Sequence, residues 1–132
     1  MRLRTGYRRQ DSSLPSRRRP ESLVEHFERH ADAICVSVIT AAELRFGVEK
    51  SKSAKLADLV ENYLERLSIL DWTNAVTPHY ARIRTALEQL GKPIGNADLM
   101  IAAHAASEGA TVVTNNVRHF ANVPGLKVQE WT

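Results

Sequence analysis

The sequence predicts an α/β domain in which a central, mostly parallel sheet is flanked by helices. Three observations carry that expectation. A chain of 132 residues suits one compact core. Two short segments, Ile34–Ile39 and Ala110–Thr114, have the near-continuous apolar character of strands buried on both faces. Around them lie stretches whose apolar residues recur at helical spacing, and strands alternating with helices build parallel sheets covered on both sides.

Composition shifts at Pro20. Before it, Leu3, Tyr7 and Leu14 are the sizeable apolar residues, with neither alternation nor a helical stripe. Residues 1–20 are therefore expected to be an Arg-rich disordered arm, and residues 21–132 the folded domain. Leu23, Val24 and Phe27 suggest a short amphipathic helix from Glu21 to about Ala31, ahead of the strand Ile34–Ile39. Thr40 then opens a helix through about Glu49, and Leu56, Leu59, Val60, Tyr63, Leu64 and Leu67 mark another. Ile69–Trp72 is a short strand candidate. Thr77-Pro78 pairs a capping hydroxyl with a first-turn proline, and the helix it starts runs through Ile83, Leu87 and Leu90 to Gly91-Lys92-Pro93. A helix from about Asn96 carries Ala102, Ala103, Ala105 and Ala106, small enough for close packing, and stops at Glu108-Gly109. After the strand Ala110–Thr114, Asn115-Asn116 turns the chain, and Leu126–Trp131 supplies a last strand.

Charge is unevenly placed. Of 18 basic and 15 acidic residues, seven arginines and one aspartate fall within residues 1–20, so the arm carries +6 and the remainder −3. The overall basicity therefore does not argue that the folded domain binds nucleic acid. A single cysteine, Cys35, excludes an internal disulfide, and no apolar run reaches the roughly 18 residues of a membrane helix. A reducing cytoplasm is the expected setting.

In parallel sheets, reactive groups gather beyond the carboxyl ends of the strands. Three polar residues fall there: Glu43 after the first strand, Asp98 at the head of the alanine-rich helix, and Asn116 after the Ala110–Thr114 strand. Each also has a structural role open to it. Thr40-Ala41-Ala42-Glu43 fits a capping box, Asn96 and Asp98 suit a helix start, and Asn116 tolerates the left-handed backbone of a turn. The functional case rests on the set. The five histidines show no zinc-ligand spacing, and His26 and His30 share a polar helix face. Cys35, inside an apolar strand, reads as inert packing. Arg45, Arg82, Arg84 and Lys92 suit solvated helix faces, whereas Arg118 and His119, beside Asn116, are the better candidates for RNA contact.

Three ordered blocks then resemble one family. Ser37-Val38-Ile39-Thr40-Ala41-Ala42-Glu43-Leu44-Arg45-Phe46-Gly47 is similar to the S-x-I-T-x-x-E-L-x-x-G block of the PIN-domain ribonucleases of the VapC toxin kind. Pro93-Ile94-Gly95-Asn96-Ala97-Asp98, continuing through Ile101-Ala102-Ala103-His104-Ala105, resembles their P-I-G-x-x-D-x-x-I-A-x-H-A block. Thr114-Asn115-Asn116-Val117-Arg118-His119-Phe120 resembles T-x-[DN]-x-x-x-F. The resemblance implies a PIN-like three-layer fold and an endoribonuclease dependent on Mg²⁺ or Mn²⁺. It also implies metal ligation by Glu43 and Asp98, with Asn116 as a neutral ligand or water positioner. A cognate antitoxin, a homodimer and an RNA substrate of the tRNA or ribosomal class are the partners it implies.

The front of the chain departs from that pattern. The family's first strand is apolar and ends in Leu-Asp, bringing the first metal-binding carboxylate, whereas this chain reads Arg4-Thr5-Gly6-Tyr7-Arg8-Arg9-Gln10. Length is kept while pattern is lost, as a shifted reading frame would do: codons for Thr5-Gly6-Tyr7, read one base later, permit Leu-Asp. Asp11, the nearest acid, sits among Gln10, Ser12 and Ser13 rather than after an apolar strand. The family strand is therefore expected to be missing or disordered and cleavage impaired. The alternative is an inactive module that binds antitoxin or nucleic acid without cutting.

Overall fold

The computed structural model describes residues 2–4 and 34–130. Five strands, β1 (Arg2–Arg4), β2 (Ile34–Ser37), β3 (Ser68–Leu70), β4 (Thr111–Thr114) and β5 (Val128–Glu130), form one sheet in the order β3-β2-β1-β4-β5. All four pairings are parallel. The helices are α1 (Val38–Ser51), α2 (Ala54–Glu65), α3 (Thr77–Gln89) and α4 (Asn96–Glu108), with 3₁₀ turns at Asn74–Val76 and Val117–Phe120.

The expected layers follow from strand alternation, since successive side chains point to opposite faces. Cys35 and Val112 pack into one core with Ile83 and Leu87 of α3 and Leu99, Ile101, Ala102 and Ala105 of α4. Val36 and Val113, one residue on, pack into a second core with Ala41 and Leu44 of α1 and Val60, Tyr63 and Leu64 of α2. Two helical layers thus sandwich the sheet. Ala102, Ala103 and Ala105 of α4 are fully buried and Ala106 partly so, which fits their reading as a close-packing surface.

A short strand stands at the centre of the sheet. The first strand is present: Arg2, Leu3 and Arg4 pair with Ile34, Cys35 and Val36 on one side and with Thr111, Val112 and Val113 on the other. A ladder is built from backbone N–H and C=O groups, which every residue but proline carries, so an Arg-Leu-Arg segment can close the gap between two apolar strands. Residues 5–20 of the expected arm, and the helix expected over Glu21–Ala31, lie outside the described residues.

Several boundaries also move. The first apolar run leaves the sheet at Ser37, because Ser37 caps α1: its Oγ accepts from the Ile39 N–H at 3.1 Å. Thr40 therefore lies inside the first turn and is buried, and the capping box expected of Thr40 and Glu43 does not form. Thr77 is likewise not the N-cap of its helix, which is Val76. A 3₁₀ turn precedes it, and its Oγ1 donates to the Asn74 carbonyl at 2.8 Å. Gly95 rather than Asn96 precedes α4, and Gly109, at φ 62°, ends that helix in the left-handed conformation glycine favours.

Candidate active site at the carboxyl edge of the sheet

Parallel strands end at one edge, and the strand order sets the useful place along it. The chain passes from β1 to β2 and β3 on one side, then crosses to β4 and β5 on the other. The order therefore reverses at β1, and the crevice outside the carboxyl ends of β1 and β4 is where open sheets of this kind bind ligands.

Asp98 is found at this crevice. It lies in the first turn of α4, is only 3% exposed, and its Oδ2 accepts from His119 Nδ1 at 3.0 Å. His119 sits in the 3₁₀ turn that follows β4, so the bond ties the head of α4 to the carboxyl end of the strand. The turn itself is well fixed. Asn116 N–H donates to Thr114 Oγ1 at 2.9 Å, His119 N–H donates to the Asn116 carbonyl at 3.0 Å, and Phe120 is buried in the core. Asn116 has φ −118°, so the left-handed backbone that would explain it as a turn residue is not used. Its side chain makes no capping bond to the turn either.

Beside these residues opens a cleft of about 460 Å³ lined by Asn115, Asn116, Val117, Arg118, His119 and Glu130. Asn115, which the sequence reading passed over as a turn residue, is 7% exposed, and its Nδ2 has no hydrogen-bond partner among the described residues. Glu43 lies in the other helical layer. It is half-buried in the second turn of α1, and α1, which begins where β2 ends, packs against α4.

The basic candidates separate clearly. Arg45 is held by Glu61 through two bonds of 2.9 and 3.0 Å that join α1 to α2, and this pairing raises the Arg45 pKa and lowers that of Glu61. Arg84 bonds Glu88 and Tyr80, and Arg82 donates to His79 Nδ1. Arg118 alone of the arginines singled out from sequence is exposed at the cleft. Cys35 is buried, and burial pushes its thiol pKa up, in keeping with inert packing.

Two pairings escaped sequence reasoning. His119, a candidate for RNA contact, is also a carboxylate partner. His104 is wholly buried, with Nδ1 2.7 Å from Ser37 Oγ. A spacing of 67 residues for one pair and 21 for the other leaves no local pattern to read. The sequence hints for His104 are its place among the close-packing alanines and at the H of the I-A-x-H-A block.

The family profile of the PIN domain matches residues 14–126, most of the chain. The tRNA(fMet)-specific endonuclease VapC of Salmonella typhimurium is 41% identical over 115 residues, covering 86% of each chain. The chain belongs to the PIN-domain family, in its VapC branch. Ribonuclease VapC2 of Haemophilus influenzae is likewise 41% identical, over 87% of this chain and 88% of its own. Among solved structures, VapBC2 from Rickettsia felis bound to a promoter DNA fragment superposes with a TM-score of 0.80 at 35% identity over the whole of both chains. DNA-bound VapBC from Salmonella typhimurium gives 0.78 at 31% identity, over 100% of this chain and 99% of that one.

PIN-domain ribonucleases in general depend on a divalent metal. Glu43, Asp98 and Asn116, the ligands the family resemblance implies, carry oxygen of the kind a hard cation prefers, and Mg²⁺ is commonly held by only one or two carboxylates plus substrate phosphate. No group of three or more His, Cys, Asp or Glu suited to a metal is assembled among the described residues. A cation would therefore rest on few carboxylates. No helix among those residues is long and apolar enough to cross a membrane.

Proposed function

We propose that this chain is a metal-dependent endoribonuclease toxin of a type II toxin–antitoxin system, cutting RNA phosphodiester bonds at the crevice between β1 and β4. The observation that carries the reading is the buried Asp98 carboxylate, tethered by His119 at the topological switch point beside a polar cleft. Glu43 and Asp98 would hold Mg²⁺ or Mn²⁺, with the Asn116 amide oxygen as a neutral donor or water positioner. When bound, the ion polarises a phosphoryl oxygen and lowers the pKa of a water. Gathering carboxylates without a cation is unfavourable, so Glu43 and Asp98, once drawn together, would favour cation uptake. Arg118, exposed at the cleft, pairs with an RNA phosphate and sets the strand's position.

The Salmonella relative is named for cleavage of tRNA(fMet), which makes initiator tRNA the first substrate to try, ahead of ribosomal RNA. The solved relatives are VapBC complexes, so a cognate antitoxin is the expected protein partner. A homodimer and a cytoplasmic setting complete the proposal.

A second reading is favoured by one observation. β1 ends at Arg4, beside the crevice, and no Asp or Glu occurs within residues 1–10. Without a carboxylate there, metal affinity falls, and the chain would bind antitoxin or nucleic acid with little or no cleavage.

One experiment separates the two. Purified protein is incubated with initiator tRNA and Mg²⁺, with and without EDTA, beside Asp98→Asn and Glu43→Gln variants. Cleavage abolished by EDTA and lost in both variants supports the nuclease. Antitoxin binding without cleavage supports the second reading. Cleavage insensitive to EDTA, or undiminished in both variants, removes these carboxylates from the mechanism.

A further inference from the structure

We propose that His119 is a positioning residue for the Asp98 carboxylate, setting its orientation toward the cation. This rests on the nuclease reading above and assigns His119 a role different from RNA contact. The 3.0 Å bond joins Nδ1 to a carboxylate oxygen, which only accepts, so Nδ1 carries the hydrogen and the ring's tautomer is fixed. A carboxylate has about four acceptor sites, so the bond from His119 alone does not saturate it.

The geometry suits orientation better than substrate capture. Asp98 is 4% exposed at its side chain, whereas His119 is 30% exposed and lines the cleft. The ring is itself fixed from behind. Phe120 anchors the 3₁₀ turn in the core, and the His119 N–H closes it on Asn116. Asn116 is in turn bonded to Thr114 at the end of β4. The backbone of the sheet is thereby connected, bond by bond, to one oxygen of Asp98. Partners that hold a ligand carboxylate in one orientation are worth about 10–100-fold in metal affinity.

The test is calorimetric titration of the full chain with Mn²⁺ for the unsubstituted protein and for His119→Ala, His119→Asn, His119→Gln and Asp98→Asn. An asparagine amide reaches close to the place of Nδ1, and a glutamine amide closer to that of Nε2. His119→Ala is expected to weaken Mn²⁺ binding about 10–100-fold. His119→Asn should recover most of the loss and His119→Gln little of it. Should His119→Ala fail to fold, the contrast between Asn and Gln carries the test alone. Unchanged Mn²⁺ affinity in folded His119→Ala, or rescue by Gln as good as by Asn, overturns the positioning role. If at the same time Asp98→Asn abolishes binding, the nuclease site survives and only this inference falls. If Asp98→Asn binds Mn²⁺ normally, or the unsubstituted chain binds none, both fall.

Discussion

Ser37 Oγ and His104 Nδ1 lie 2.7 Å apart with both side chains wholly buried, so one hydrogen bond pins the end of β2 to the middle of α4. Ser37 also caps α1, and the bond therefore joins the two helices that carry Glu43 and Asp98.

Burial of His104 makes stability depend on pH in a definite direction. Desolvation holds its pKa below the ordinary 6.5, against the smaller opposing pull of Glu108 and Asp71. Below about 6.5 the unfolded chain takes up a proton that the folded chain refuses, so this contribution is complete above that pH and is lost as pH falls toward the folded value. Tm should drop on acidification. His104→Asn, less stable at neutral pH, should lose less Tm over the same interval, as measured by thermal melts in matched buffers. Equal slopes in the two proteins would remove His104 as the cause.

The central strand makes a second prediction. Leu3 lies between two parallel neighbours, so its N–H belongs to a ladder whichever side it faces. Leu3→Pro removes that donor and leaves its carbonyl partner unsatisfied, which should cost about 1–3 kcal/mol in denaturant unfolding. A stability unchanged from the parent would place residues 2–4 outside the sheet.

Much of the layer architecture was legible, and these strands show why the rest was not. Cys35-Val36 and Val112-Val113 feed both cores, and so appear in sequence as unbroken apolar runs flanked by helical patterns. The strand Arg2–Arg4 is three residues long, too short for alternation to register, and it is placed by backbone pairing that residue type does not report. Caps were misread for a related reason: Ser37 and Thr40 both carry a suitable hydroxyl, and tertiary packing, which buries Thr40, decides between them. At the site, Asp98 was legible from its place at a helix head. Its partner was not, because the β4 strand must be folded against α4 before His119 comes within reach.

The arginines give a third prediction. Arg118→Ala should weaken RNA binding and reduce the salt dependence of binding by about one unit of log–log slope, measured by titration at several salt concentrations. Arg45→Ala should leave both unaltered, since Arg45 is engaged with Glu61. That exposed pair contributes no more than about 1 kcal/mol. Equal losses in the two variants would mean that charge acts on RNA without regard to place.

Phe120 links packing to the site. It is among the largest wholly buried side chains and anchors the turn bearing Arg118 and His119. Phe120→Ala should destabilise the chain by about 3–5 kcal/mol. At temperatures where the variant stays folded, Mn²⁺ affinity should fall as well, because the turn no longer holds His119 against Asp98. Calorimetry that shows lost stability with undiminished Mn²⁺ affinity would uncouple the turn from the cation.

A Mn²⁺-soaked crystal examined by anomalous scattering tests the shared cation site most directly. The predicted result is one peak bridged by a Glu43 and an Asp98 oxygen at about 2.0–2.3 Å, with His119 Nδ1 still on the Asp98 carboxylate. A peak that engages Asp98 without Glu43, or that lies away from the crevice between β1 and β4, would contradict it.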